Sequence, residues 1–178
     1  EIPSEPGTKE SDISATKKLQ EVKFWTANID SKDVPQIKSE MQYFAPDRYY
    51  IKQTNNELII IGKDGYIKGE NGKWEKSEED YSSMINVGSK QLAESLMNNL
   101  QGVKVVGEEK LKGKDVNIYS YQVPTPTKDI AIIKVWITKG DNLLLQTEVE
   151  TKLPTTSQKI ITGYDYGEPV KIEVPQIK

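Results

Sequence analysis

Closely spaced turn signals constrain this chain more than any other feature. Between residues 45 and 72 it offers Ala45-Pro46-Asp47, Asn55-Asn56, Lys63-Asp64-Gly65 and Glu70-Asn71-Gly72. Proline pre-sets φ for a turn, Asp and Asn bond their own backbone, and Asp-Gly or Asn-Gly suits the two-residue hairpin. The intervening runs RYYIKQT (48–54), ELIIIG (57–62), YIKG (66–69) and KWEK (73–76) are too short for helices of ordinary length. They are also rich in the aromatic and β-branched residues that strands favour. The expectation is an antiparallel meander.

The same pattern extends in both directions. VKFWTANI (22–29) reads as a strand. Val34–Phe44 alternates Ile37, Met41 and Tyr43 with Lys38, Glu40 and Gln42, as a strand with one wet face does. Further on come VKVVGEEKL (103–111), DVNIYSYQV (115–123), IAIIKVWIT (130–138), LLLQTEVET (143–151) and SQKIITGYDYG (157–167). The breaks are Lys112-Gly113-Lys114, Pro124 with Pro126, Gly140-Asp141-Asn142 and Pro154. That makes roughly ten strands, far above the usual share. Two helices are expected beside them. A short one lies near Asp12–Leu19, capped by Ser11 or Asp12. A second, Gly88–Leu100, carries Leu92, Leu96 and Leu100 every four residues with Ala93 and Met97 alongside, and Gly102 near its end. Its single apolar stripe must lie on the sheet.

Composition excludes several classes of function. There is no Cys and no His, so no disulfide, Cys/His metal site, thiol nucleophile or Ser-His-Asp triad can form within the chain. The net charge is −3 with lysines interleaved among acids, and Arg48 is the only arginine. Nucleic-acid binding asks for a basic stripe and bidentate arginines, so none is expected. No run of about 18 apolar residues spans a membrane. Residues 1–11 are polar with Pro and Gly and read as a flexible tether, whose lost upstream part is expected to carry a membrane anchor. Residues 12–178 are expected to form a single domain.

Three stretches together resemble the LolA-like superfamily of periplasmic lipoprotein carriers. They are V-V-G-E-E-K-L-K-G-K-D-V-N-I-Y-S-Y (105–121), V-W-I-T-K-G-D-N-L-L-L-Q-T-E (135–148) and T-G-Y-D-Y-G-E-P-V-K-I-E-V-P (162–175), preceded by K-W-E-K-S (73–77) and the mid-chain helix. Within that superfamily the pattern is most similar to the LppX/LprG-type lipid-binding lipoproteins, over roughly Asp12–Pro175. The resemblance implies a mainly β fold with minor α: a curved antiparallel sheet forming an incomplete half-barrel, with helices covering its concave face. It implies an extracytoplasmic, membrane-anchored protein that binds lipid or the acyl chain of a lipoprotein, without cofactor, metal or enzymatic activity, as a monomer. Carriers of this kind in Gram-negative periplasms gate a lid with an arginine, for which Arg48 is the sole candidate.

The residues supply an apolar lining for such a cavity. Phe24, Ile37, Met41, Tyr43, Tyr49, Ile51, Ile59, Ile61, Ile132 and Trp136 are the candidates from strands, with Leu144 a further one. Leu92, Leu96, Met97 and Leu100 are the candidates from the helix. Acyl chains need such a surface, since burial yields about 0.8 kcal/mol per CH₂ with little directional demand. Each residue taken singly is as well read as ordinary core; a cavity follows from one helix having to cover many strands. Glu78-Glu79-Asp80 reads as a solvated helix start, and Asp47–Arg48 and Asp165 with Lys171 as turn chemistry. Gly62, Gly65 and Gly69 lie in a hairpin and form no phosphate loop. Tyr49, Tyr50, Tyr164 and Tyr166 are expected to staple strands. Three readings follow: a lipid-binding carrier, an envelope-sensing or protein-interaction module on the same scaffold without bound lipid, and an enzyme. The last would need convergent inward carboxylates, and the acids here sit on turns and outward positions.

Overall fold

The structure is a computed structural model and describes residues 14, 15, 18, 21–31, 38–83, 101–124, 130–152 and 157–177. Eleven strands form one antiparallel sheet. They are β1 (Phe24–Ser31), β2 (Lys38–Phe44), β3 (Arg48–Gln53), β4 (Glu57–Ile61), β5 (Asp64–Lys68), β6 (Trp74–Lys76), β7 (Gln101–Leu111), β8 (Lys114–Pro124), β9 (Ile130–Thr138), β10 (Leu144–Lys152) and β11 (Ser157–Asp165). The order across the sheet is β6-β5-β4-β3-β2-β1-β11-β10-β9-β8-β7. Two meanders therefore meet where the first strand pairs with the last, Ala27 opposite Tyr164 and Ile29 opposite Thr162. The sheet is curved and does not close into a barrel; its edges are β6 and β7.

The turns behave as their residues require. Gly62 at +57° and Gly113 at +77° take the left-handed φ that only glycine adopts without strain. Gly102 also has a positive φ, but it lies inside β7, beside an irregularity in pairing with β8 rather than at a helix end. Ser14, Ala15, Lys18 and Glu21 have helical backbone, in line with the short N-terminal helix. The expected helix Gly88–Leu100 and residues 1–11 lie outside the described residues, as does Ile37.

Strand register assigns every side chain to one of two faces, because successive residues point in opposite directions. One face carries Trp25, Ala27, Ile29, Met41, Tyr43, Tyr49, Ile51, Leu58 and Ile60 on one side of the β1–β11 seam. Across the seam it carries Tyr164, Thr162, Ile160, Thr147, Val149, Ile133, Val135, Tyr119 and Tyr121. This is the aromatic face. Its two flanks are filled. On one, Ala15 sits among Val103, Tyr119, Tyr121, Val135 and Ile137, all buried. On the other, Tyr49, Ile60 and Tyr81 form a buried cluster. Tyr81 lies so close to Gly65 that a Cβ there would come within 2.2 Å of its ring. Glycine at 65 thus lets the chain leaving β6 lie against the sheet.

The opposite face differs in character. It carries ion pairs in both halves of the sheet: Lys68 bonds Glu57 at 2.9 Å, Tyr50 donates to the same carboxylate at 3.0 Å, and Lys159 and Lys134 flank Glu148 at 3.1 and 3.7 Å. Towards its flanks it holds two smaller apolar clusters. The C-terminal segment covers one, with Ile172 buried against Ile59 and Tyr66. The β7–β8 hairpin tip closes the other, where Leu111 packs with Val116, Trp136 and Leu145.

Candidate functional site

The aromatic face at the sheet centre is the candidate site. Four rings line up across β11, β1, β2 and β3. Tyr164 meets Trp25 edge-on at 5.6 Å; Trp25 meets Tyr43 at 5.5 Å, and Tyr43 meets Tyr49 at 5.0 Å. Cross-strand pairing brings them together: Trp25 opposes Tyr43, and Tyr43 opposes Tyr49. Offset and edge-on ring contacts of this kind add to simple burial. Burial raises the hydroxyl pKa of Tyr43, of Tyr164, and of Tyr49, which is pushed up to about 12. The phenols, uncharged at neutral pH in any case, stay protonated further into the alkaline range.

Beyond the rings the face changes. On the same side of the sheet, further from the ring-bearing rim, come Ile29, Ser31, Ser39, Thr147, Val149, Ile160 and Thr162. These side chains are shorter than the rings, and most are only half-buried. Among the central strands β1, β2, β10 and β11, the aromatic face has only Ala27 and Ser31 fully buried. At the far rim, where β1 ends and β2 begins, the same face carries Ser31, Ser39 and Gln53, while Asp30, Lys38, Glu40 and Lys52 lie on the opposite face. The strip thus has an aromatic end and a polar, uncharged end, with short side chains between.

The structure divides the expected lining residues. Met41, Tyr43, Tyr49 and Ile51 come together on the aromatic face, with Leu144 on the same face beside Ile137. Phe24, Ile59, Ile61, Ile132 and Trp136 lie on the opposite face, so they do not share one surface with the first group. The reason is local. Leu58–Ile61 and Ile130–Ile137 are apolar at both parities, and alternation cannot choose a face in such runs. Phe24 opposes Phe44 across β1–β2, while its neighbour Trp25 takes the aromatic face. Ile59 and Ile61 are covered by the C-terminal segment, and Trp136 donates its indole N–H to Glu109 at 2.7 Å. Ile37, Leu92, Leu96, Met97 and Leu100 lie outside the described residues. Trp25 and Tyr164 are the members of the ring band that the lining expectation missed; pairing of the first strand with the last was needed to join them.

Arg48 also lies on the opposite face, where its Nη1 donates to the carbonyl of Ile172 at 2.8 Å. It clamps the C-terminal segment and does not reach the ring band's side. Among the described residues, no three Asp or Glu carboxylates converge in a way that could hold a metal ion. Glu78, Glu79 and Asp80 are exposed. Asp80 accepts from Ser82, which holds its carboxyl below the usual range. Asp165 accepts from the Gly167 N–H at 2.7 Å, as turn chemistry requires.

No protein-family model matches the chain, and no curated protein matches its sequence. Solved structures do match. Lipoprotein LppX of Mycobacterium tuberculosis superposes with a TM-score of 0.75 at 14% identity, over 96% of this chain and 100% of that one. LprF from Mycobacterium bovis gives 0.70 at 11% identity, over 97% and 98%. MucB of Pseudomonas aeruginosa, in its complex with MucA, gives 0.56 at 10% identity; the match covers 91% of this chain and 58% of that one. The chain has the fold that LppX and LprF share.

Proposed function

We propose that this protein is an extracytoplasmic lipid-binding or carrier protein that holds acyl chains against the aromatic face of its sheet and performs no chemical step. The observation that carries this reading is the unequal filling of that face. Its flanks hold buried clusters, while the central strip stays half-buried over four strands. An apolar strip that is less completely buried than the packed flanks beside it is where an apolar ligand would find room. The ring band and the short aliphatic and hydroxyl side chains offer burial with little directional demand, which suits methylene chains. The likeness in fold to LppX, which is named as a lipoprotein, supports the same assignment.

In this reading residues 12–178 act as one lipid-binding unit and residues 1–11 as a tether to a membrane anchor. Leu92, Leu96, Met97 and Leu100 would supply the apolar side that faces the strip. The protein works as a monomer outside the cytoplasm. Native mass spectrometry of protein purified from its own host, followed by solvent extraction, tests this. A stoichiometric amphiphile is the expected result. A clean apo mass with no uptake of a fluorescent fatty acid would overturn it.

A second reading draws on the MucB likeness, since that structure holds a protein partner. There the same strip would hold a peptide segment and no lipid. Partner binding by lipid-free protein, undiminished by added fatty acid, would favour it.

A further inference from the structure

The ring band closes one end of the strip, and the strip has a definite length. Trp25, Tyr43, Tyr49 and Tyr164 occupy the rim where β1 and β3 begin and β2 and β11 end. Each ring touches the next, so the band has no gap wide enough for a chain to pass between neighbours. From Trp25 the same face of β1 continues through Ala27 and Ile29 to Ser31, six residues away, or about 20 Å of strand. The far end of the same face carries the polar side chains Ser31, Ser39 and Gln53. Hydroxylated and other polar groups belong at such an end, and methyl groups at the other.

We propose that Trp25, with Tyr43 and Tyr164 packed on either side, is a specificity-determining stop that sets the longest acyl chain the strip holds, with the terminal methyl against the rings and the head group at the polar far end. This rests on the acyl-binding reading above and extends it to orientation and chain length. The indole touches both Tyr164 and Tyr43, so its removal opens the band between β11 and β2. Ala27, 2% exposed beside it, has no side chain long enough to refill the gap.

The test is a series of saturated fatty acids of increasing even chain length, displacing a fluorescent acyl probe from the full chain. In the wild type, affinity should rise about fourfold per added methylene and then level off once the methyl end meets the rings. In Trp25→Ala the rise should continue to longer chains before levelling. Tyr50→Phe, on the opposite face, should leave the break where it is in the wild type. Gain of longer ligands cannot come from misfolding, and circular dichroism checks that the sheet is intact. A break at the same chain length in Trp25→Ala, or no break in the wild type, overturns the stop while leaving acyl binding standing. No displacement by any chain length overturns the acyl reading, and the stop with it. If Trp25→Ala loses its sheet, Trp25→Val takes its place and the same shift is required of it.

Discussion

The β8–β9 flank and the centre of the sheet use the same backbone and end in opposite conditions. In the flank, Val103 is 0% exposed, and Val135 and Ile137 are each 2% exposed. Side chains from β7, β8 and β9 interlock with Ala15 from the N-terminal helix, and the space is full. At the centre, β2 has no fully buried residue and β11 has none. The apolar character is similar, with Ile29, Val149 and Ile160 in place of Val135 and Ile137. The difference is what stands opposite. The flank meets a short helix that brings a small alanine close, whereas the central strip meets no comparable packing partner among the described residues. Stability is thus expected to concentrate in the flank.

The largest expected effect separates these two regions directly. Ile137→Ala empties a closed part of the core and should cost about 2–5 kcal/mol. Ile29→Ala, at the centre, should cost about 1 kcal/mol or less. Urea unfolding of both variants measures the gap, and equal losses would show that the centre is packed like the flank.

Next is Gly65→Ala. The new methyl group would meet the Tyr81 ring, and the overpacking should cost about 1–3 kcal/mol. In a Tyr81→Ala background the same change should cost less, because the clash is gone. A double-mutant cycle with no coupling would show that Tyr81 does not rest on Gly65 in solution.

Alkaline pH probes the ring band itself. Burial raises Tyr49 from an ordinary value near 10 to about 12. The unfolded chain therefore loses this proton first, so stability is fully present below about pH 10 and falls as pH rises towards 12. Tyr43 and Tyr164 are shifted in the same direction. Tyr49→Phe should flatten the fall measured by unfolding between those pH values, and an unchanged slope would place the titrating groups elsewhere.

The smallest effect is at Arg48. Arg48→Met removes the hydrogen bond to Ile172 and should cost about 1 kcal/mol. Fatty-acid uptake should not change, since the residue lies on the other face. A large loss of uptake with unchanged stability would give Arg48 a part in ligand entry.

Much of the architecture is legible in the residues, because turns are short-range chemistry. Lys112-Gly113 and Gly140-Asp141-Asn142 fall at the expected turns, and strands such as Ile130–Thr138 follow from them. Gly65 departs from this pattern: it opens β5, and its lack of a side chain serves Tyr81. Faces are harder to read. Met41 and Tyr43 alternate with charged or polar neighbours, and their common face follows. Leu58–Ile61 is apolar throughout, and its second face is buried by Ile172, over a hundred residues later. No local pattern carries that information. Trp25 and Tyr164 are likewise joined only by the long-range pairing of β1 with β11.

Three tryptophans allow the central claim to be tested at once. Trp25 lies on the aromatic face, while Trp74 and Trp136 lie on the other. Single-tryptophan chains, with the other two replaced by phenylalanine, can be titrated with a fatty acid brominated near its terminal methyl. Bromine quenches only an indole it closely approaches. Quenching of Trp25 with little change at Trp74 and Trp136 is the predicted result. Quenching of Trp74 or Trp136 while Trp25 stays bright would contradict the account and move the acyl site to the opposite face.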